Sequence, residues 1–168
     1  METRKFLWAP WRMTYINAEK EDGCVFCNRL GSSPEKDREN LILLRRPLGF
    51  IMMNKFPYNS GHLLIIPNRH VPDLRDLDDD ELLGLQRLLA LSLDVLEDLY
   101  HPDGFNIGMN LGRSAGAGIE EHLHYHLVPR WNGDTNFMSV LADVRVVPQH
   151  LQTTYDQLKE AFSAKGIT

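Results

Sequence analysis

The sequence predicts an α+β domain built on a largely antiparallel sheet. Two observations indicate this class. Short apolar or alternating segments follow one another through turn-rich links of hairpin length, and two longer segments repeat their apolar residues at helical spacing. At 168 residues, with 43% hydrophobic and 24% charged residues, the chain has the composition of one ordinary globular domain. We therefore expect a single core.

The predicted strands alternate with turns along the chain. Residues 41–45 and 50–54 form a hairpin, and residues 62–67 are a nearly continuous apolar run of the kind found in a central strand. Apolar and polar residues alternate over residues 105–110, which indicates a half-buried strand, and residues 144–147 add a short one.

Two segments are predicted to be helices. Leucines recur at helical spacing from Asp79 to Tyr100, and Asp78 with Glu81 forms a plausible capping box. The acidic residues 78–81 are then a favourable charge at a helix N-terminus and not a metal site. A final helix is indicated by Leu151, Tyr155, Leu158 and Phe162, and Gly166 closes it.

Three parts of the chain are distinguished by composition. Residues 1–22 contain an aromatic cluster interrupted by proline and are expected to pack as an arm. Residues 23–148 form the main domain, in which the polar residues 31–37 are a loop. Residues 149–168 are expected to be a C-terminal helix packed on the same domain.

Charge and hydropathy exclude several classes of function. The formal net charge of −5 argues against binding of long nucleic acid, although a nucleotide site needs only a few local donors. No apolar run approaches the ~20 residues that span a bilayer. Pro10 and Arg12 interrupt the N-terminus before a signal-peptide core forms, so we expect a cytoplasmic protein without a membrane segment.

Three histidines alternate with apolar residues between His122 and Val128. In a strand, His122, His124 and His126 share one face, and Leu123, Tyr125 and Leu127 share the other. Buried imidazoles need hydrogen bonds, a metal or a ligand. The row therefore fits a metal site, a nucleophile or a pH-sensitive surface. His62, at the start of an apolar strand, is expected to be a hydrogen-bonded structural histidine.

Cys24 and Cys27 are the two cysteines of the chain, and their spacing lets both thiolates bind one tetrahedral Zn²⁺. His70 and His122 are candidates for the second pair of ligands. A redox pair is the rival interpretation, and no βαβ context precedes it. Another alternative puts zinc on all three histidines of the row, which leaves the cysteines without a role.

Residues 110–119 contain three glycines and two alanines directly before the histidine row. With so little side chain over the backbone, the amide N–H groups can approach an anionic ligand. The position of this segment favours a phosphate site beside the histidines.

These segments together resemble the histidine triad (HIT) family, and within it the bacterial branch that phosphorolyses diadenosine polyphosphates. The likeness is carried by residues 8–12, 61–70, 106–110, 122–131 and 136–138. It implies a HIT-like fold: a five-stranded, largely antiparallel sheet with a main helix on one face and a C-terminal helix. It also implies a homodimer across which the sheet extends.

The resemblance implies that His124 attacks the α-phosphorus of a dinucleoside polyphosphate and forms a nucleotidyl-histidine intermediate. His126 would donate to phosphate oxygens and help the leaving group. Inorganic phosphate is the first choice of acceptor. The alternatives are hydrolysis of dinucleoside polyphosphates or nucleoside phosphoramidates and, from another class, a nucleotide-binding or zinc-binding adaptor without turnover.

The resemblance also implies a set of binding residues. A structural Zn²⁺ would be held by Cys24, Cys27, His70 and His122. The purine nucleotide would contact Met52, Asn54, Asn110, Gly116, Ala117, Gly118, His124, His126 and Trp131. One departure concerns Ala117 and Gly118, which stand where the family carries polar side chains that bond the phosphate. The acceptor of the nucleotidyl group is therefore left open.

Overall fold

The computed structural model describes residues 22–134 and 150–165. Five strands lie within them: β1 Ile42–Arg45, β2 Gly49–Met53, β3 Leu63–Pro67, β4 Gly104–Gly108 and β5 Tyr125–Arg130. The α-helices are α1 Val25–Leu30, α2 Asp37–Asn40, α3 Asp79–Tyr100 and α4 Leu151–Lys165. Short 3₁₀ turns occupy Pro34–Lys36, Leu74–Asp76 and Arg113–Ala115.

The strands form one open sheet in the order β1-β2-β3-β5-β4, and every neighbouring pair is antiparallel. This confirms the predicted α+β class and the five-stranded sheet. In register, His126 of β5 lies opposite Leu64 of β3 on one side and Gly108 of β4 on the other. The end of the histidine row is therefore fixed by hydrogen-bonded strands on both sides.

Helices α3 and α4 cover one face of the sheet. The larger apolar core lies there and includes Leu43, Ile51, Ile65, Leu85, Leu96, Leu127, Leu158 and Phe162. Helix α3 has the predicted bounds, and both bonds of its capping box are present: Glu81 N–H donates to Asp78, and Asp78 N–H donates to Glu81. The acidic residues at this end thus serve the helix N-terminus, as predicted.

The opposite face carries α1 and a second apolar cluster: Cys24, Phe26, Ile42, Phe50, Met52, Leu64 and Ile66. The sequence did not predict α1, which has only six residues and no apolar period. The prediction of a loop over residues 31–37 was wrong in part, because a 3₁₀ turn and the first residue of α2 lie there. This second face is the one on which the histidines lie.

The histidine row is only partly a strand. β5 begins at Tyr125, so His122 and His124 precede it, contrary to the prediction of a strand over the whole row. Pro67, at the end of β3, has no N–H to donate to a ladder, and its carbonyl accepts the His122 Nε2–H. The alternation persists, because Leu123 and Leu127 are buried in the helix-side core while His122 and His124 lie on the other face.

Three of the predicted segments lie outside the described residues: residues 1–21 of the arm, the motif at 136–138 and the strand over 144–147. No helix in the two described ranges is both long enough and apolar enough to span a bilayer.

Candidate active site and metal centre

The structure brings together the four predicted metal ligands. One donor atom each from Cys24, Cys27, His70 and His122 lies within 4.8 Å of the others. The nearest pairs, Cys24 Sγ to His122 Nδ1 and His70 Nδ1 to His122 Nδ1, are both 3.3 Å apart. Zn–S and Zn–N bonds in a tetrahedron predict ligand separations of roughly 3.3–3.8 Å. The cluster therefore fits a tetrahedral metal ion with two sulfur and two nitrogen ligands.

The backbone assigns the ring nitrogens of His122. Nε2 lies 2.9 Å from the Pro67 carbonyl, so it carries the hydrogen and donates. Nδ1, which faces the cysteines, then keeps its lone pair. Burial lowers the pKa of His122, which favours the neutral imidazole that a metal requires. The hydrogen bond from Nε2 to Pro67 therefore leaves Nδ1 as the atom that can bind a metal.

His124 has the opposite tautomer. Its Nδ1 lies 2.9 Å from the His122 carbonyl and donates to it, which leaves the lone pair on Nε2. Its ring is 6% exposed and packs against Phe26, with centroids 5.0 Å apart. Burial lowers the pKa of His124. At neutral pH His124 is an uncharged imidazole with its lone pair on Nε2, which is what a nucleophile needs.

His126 is oriented by His62, which the sequence predicted only as a structural histidine. Tyr58 N–H donates to His62 Nδ1 at 3.1 Å, so neutral His62 carries its hydrogen on Nε2. That Nε2 lies 3.0 Å from His126 Nδ1, which must then accept. Neutral His126 consequently presents Nε2–H as a donor.

The ring of Tyr58 stacks on His126, with centroids 5.8 Å apart and planes 24° from parallel. Burial, and secondarily the neighbouring His124, lowers the pKa of His126 to about 4. The ring centroids of His124 and His126 are 4.9 Å apart. The row therefore combines a candidate metal ligand, a neutral imidazole with its lone pair on Nε2, and a neutral imidazole that can donate.

A family model described as the HIT domain matches residues 35–133. AP-4-A phosphorylase from Mycobacterium tuberculosis is 38% identical over 154 residues, which cover 88% of this chain and 79% of that protein. The chain belongs to the HIT family.

Other HIT relatives are informative about both the reaction and the metal. Bis(5'-adenosyl)-triphosphatase from Dictyostelium discoideum is 32% identical over 93 residues, which cover 55% of this chain and 62% of that protein. A Zn-bound histidine triad family protein from Mycobacterium smegmatis superposes with a TM-score of 0.67 at 26% identity, covering 86% of this chain and 96% of that one. This chain therefore shares its fold with a solved HIT-family structure that contains zinc.

Two of the nucleotide-binding residues predicted for this HIT chain lie near the histidines. Met52 is in register with Leu64, and Leu64 with His126, so the three form one row across the sheet, about 10 Å long. Asn54 follows β2, and its Nδ2 lies 3.4 Å from His62 Nδ1. Its Oδ1 accepts the Phe56 N–H, so the Asn54 amide holds its own loop and His62.

The glycine-rich segment of the HIT domain leaves β4 just after Gly108, which is opposite His126, and returns to the row at His122. Both ends of the segment therefore lie at the histidines. Gly116 adopts a left-handed conformation with φ 86°, and Arg113 pairs with Glu120 across the loop at 3.1 Å. These contacts close the segment into a compact turn.

Within the described residues, Trp131 does not lie near the histidines. It follows β5 at the end away from the row, and its indole Nε1–H donates to the Tyr100 carbonyl at 3.3 Å. In the described residues, Trp131 thus packs against the end of α3.

Sequence reasoning missed three residues of the HIT site: His62, Phe26 and Tyr58. His62 lies on the same face of β3 as Leu64 and Ile66, so alternation along β3 marks its face once β3 is known to neighbour β5. Phe26 lies between the two cysteines and is 2% exposed. Tyr58 carries no sequence signal, because the loop geometry places its ring.

Acid is expected to destabilise the protein through His126. An unfolded histidine titrates near 6.5, so as the pH falls the unfolded chain takes up a proton before His126 does. The free energy of unfolding should therefore fall between about pH 6.5 and 4. The groups facing this ring are His62, His124 and Tyr58.

Urea denaturation at pH 7 and pH 5 tests this prediction. Between these pH values the free energy of unfolding should fall less for His126→Asn than for wild type, whereas the variant at the exposed residue His101, His101→Asn, should follow wild type. An equal fall for all three would contradict this assignment.

Proposed function

We propose that this HIT-family chain is a nucleotidyl transferase that cleaves dinucleoside polyphosphates at the α-phosphorus, with His124 as nucleophile and inorganic phosphate as acceptor. The observation that carries the proposal is the His124 Nδ1–H bond to the His122 carbonyl, which leaves an uncharged Nε2 lone pair beside the donor His126. A site that only bound nucleotide would not need such a nucleophile. The named phosphorylase relative is consistent with this reaction.

In the first step, the His124 Nε2 lone pair forms a bond to the α-phosphorus. The bond from this phosphorus to the bridging oxygen breaks, and a nucleoside polyphosphate leaves with the electron pair. The imidazole of the intermediate carries a positive charge, which the His122 carbonyl stabilises through the Nδ1–H bond. His126 donates its Nε2–H to oxygens on which negative charge develops.

In the second step, an oxygen of inorganic phosphate attacks the α-phosphorus. The P–N bond breaks, a nucleoside diphosphate is released, and His124 regains its lone pair. Gly116, Ala117 and Gly118 bring no side chain larger than a methyl group, so a phosphate could approach the backbone of this segment closely, although the Gly116 N–H already donates to the Arg113 carbonyl within the turn. Asn110 lies at the start of the same segment and would bond phosphate oxygens.

Binding of the first nucleotide is proposed to use the apolar face beside the histidines. Met52, two strands away from His126 across β3, would contact the base, and Asn54 would bond the ribose. Trp131 would contact substrate only if its packing against Tyr100 were rearranged or if a second subunit brought it near.

The metal is proposed to be a structural Zn²⁺ bound by Cys24, Cys27, His70 and His122. Two thiolates and two imidazoles are the ligands zinc prefers, and burial raises the pKa of the Cys27 thiol, so a cation is needed to hold its thiolate at neutral pH. Zinc would anchor the segment before β5 that carries His124, since His122 lies two residues before it. The two unpaired cysteines fit a reducing, cytoplasmic location.

Diadenosine tetraphosphate, incubated with purified protein with and without inorganic phosphate, tests the reaction. ADP and ATP formed only with phosphate would support phosphorolysis. AMP and ATP in both samples would favour hydrolysis, the activity for which the Dictyostelium relative is named. Tight nucleotide binding without any product would overturn the proposal in favour of an adaptor.

The chain is also proposed to form a homodimer through β4. Among the described residues, β4 is paired along one side only, with β5, and its fourth residue, Ile107, is 46% exposed. The other edge of the sheet is covered: Tyr155 and Lys159 of α4 donate to carbonyls of β1. An open edge strand with an exposed apolar residue suits antiparallel pairing with a second copy about a two-fold axis.

Ile107→Lys is expected to convert the dimer to a monomer, because a lysine on an edge strand opposes self-pairing. Sedimentation at micromolar concentration would measure the change. The control is Leu83→Lys on α3, where the leucine is 49% exposed and the dimer should persist. A monomeric wild type, or a dimeric Ile107→Lys, would refute this interface.

A further inference from the structure

His70 is the most weakly held of the four metal ligands. It is exposed, and it lies in the turn that follows β3, whereas His122 is buried and bonded to Pro67. The ring contacts described for His70 are all with other members of the cluster: Cys27 Sγ at 3.4 Å and His122 Nδ1 at 3.3 Å. The place of His70 must therefore be set by the turn that carries it.

Residues 68–71 form this turn, and the hydrogen bonds that hold it do not involve the side chains of the metal cluster. Asn68 Nδ2 donates to the carbonyls of Arg46 and Pro47 at 2.8 and 2.9 Å. The Val71 carbonyl accepts the Leu123 N–H at 2.7 Å. These bonds tie the two ends of the turn to the β1–β2 hairpin and to the histidine row.

Arg69, directly before His70, ties the middle of the turn to α3. Its guanidinium bonds both carboxylate oxygens of Glu81, at 2.9 and 2.6 Å, and also the Asp76 carbonyl. Glu81 is 7% exposed and is the third residue of a 22-residue helix that packs on the core. The same carboxylate accepts the Asp78 N–H in the capping box. Arg69 therefore connects the turn to a rigid, buried point.

We propose that Arg69 is a positioning residue of the metal centre. Its bidentate ion pair with Glu81 holds the turn so that His70 faces the other three ligands, Cys24, Cys27 and His122. The inference rests on the proposed metal-binding role of the four ligands. Without the pair, the metal itself would have to order the turn, and part of its binding free energy would be lost to that ordering.

Arg69→Met tests the proposal, since it keeps an unbranched side chain and removes the charge and the donors. We expect zinc affinity, measured in the folded protein by competition with a chromophoric chelator, to fall about 10–100-fold. Arg75→Met is the matched control. Arg75 makes a bidentate pair with Asp73 in the same segment, but its side chain is 87% exposed. The described contacts of Arg75 do not reach the turn that carries His70, so the zinc affinity of Arg75→Met should stay within about twofold of wild type.

Arg69→Met leaves a buried carboxylate unpaired, so a second variant separates positioning from stability. Arg69→Met combined with Glu81→Gln restores the zero net charge of the wild-type pair and should recover the melting temperature of the metal-free protein while zinc affinity stays low. The absorption spectrum of the Co²⁺-loaded double variant should also differ from wild type, because the geometry at His70 changes. Wild-type zinc affinity in either Arg69 variant would overturn the inference, whereas failure of the wild type to bind zinc would overturn the metal role itself.

Discussion

His124→Ala is expected to reduce turnover of diadenosine tetraphosphate at least about 1000-fold, while fold and metal content stay unchanged. The loss follows because no other described side chain of the row has a free, uncharged nitrogen available for attack. His122 offers its Nδ1 to the metal cluster, and His126 accepts from His62 through Nδ1 and keeps a hydrogen on Nε2. Initial rates with phosphate present, together with zinc content by atomic absorption, would measure both parts of the prediction.

The control is His101→Asn. His101 is exposed at the C-terminal cap of α3 with φ 46°, a conformation that asparagine tolerates, so this change removes an imidazole without affecting the site. Wild-type rates are expected. If His124→Ala retained activity, a nucleotidyl-histidine at this residue could not lie on the reaction path. Quenching with denaturant at alkaline pH, where the P–N bond of a nucleotidyl-histidine is stable, should leave label from the substrate on wild type and none on His124→Ala.

Much of the fold was predictable because local signals agreed with long-range packing. Helix α3 has its predicted bounds, since the Asp78 and Glu81 capping box fixes one end and Pro102 prevents continuation beyond the other. The hairpin and the apolar strand β3 were predicted to within a residue or two, because their apolar runs are bounded by turn residues.

The histidine row shows where periodicity was insufficient. The alternation correctly separated His124 from Leu123, yet it could not show that the ladder ends before His124. That boundary arises from Pro67, which lacks an N–H, and from carbonyls that accept imidazole hydrogens in place of backbone ones. Such competition between side chain and backbone depends on which strands are neighbours, so no local pattern contains it.

The four predicted metal ligands lie together in the structure, whereas the helix that carries Cys27 was not predicted. Helix α1 is too short to show an amphipathic period, and it is held by the contacts of Phe26 with His122 and His124. His62 was missed as a site residue for a similar reason: its partner His126 is 64 residues away. Ile107 was expected on a buried face, and its exposure is explained if a second copy covers it.

Cys24→Ser is expected to abolish stoichiometric zinc binding and to lower the stability of the protein by about 3 kcal/mol or more, since metal binding free energy contributes to folding. For a domain of this size, that corresponds to a fall in Tm of about 6–12 °C. Turnover should fall as well, because the His122 carbonyl that orients His124 belongs to one of the four proposed metal ligands. Differential scanning calorimetry with and without a chelator would measure the effect.

The chelator separates loss of metal from loss of the sulfur atom itself. Wild type should lose stability when zinc is removed, whereas Cys24→Ser should show the same Tm in both conditions. His124→Ala decides between the two metal arrangements that the sequence allows: a Cys₂His₂ site keeps its zinc in this variant, and a site made of the three histidines loses it. Since His124 Nδ1 is bonded to a carbonyl and lies outside the four-residue cluster, we expect the zinc to be retained. Loss of zinc from His124→Ala, with zinc retained in Cys24→Ser, would place the metal on the histidine row and leave His124 unable to act as the nucleophile.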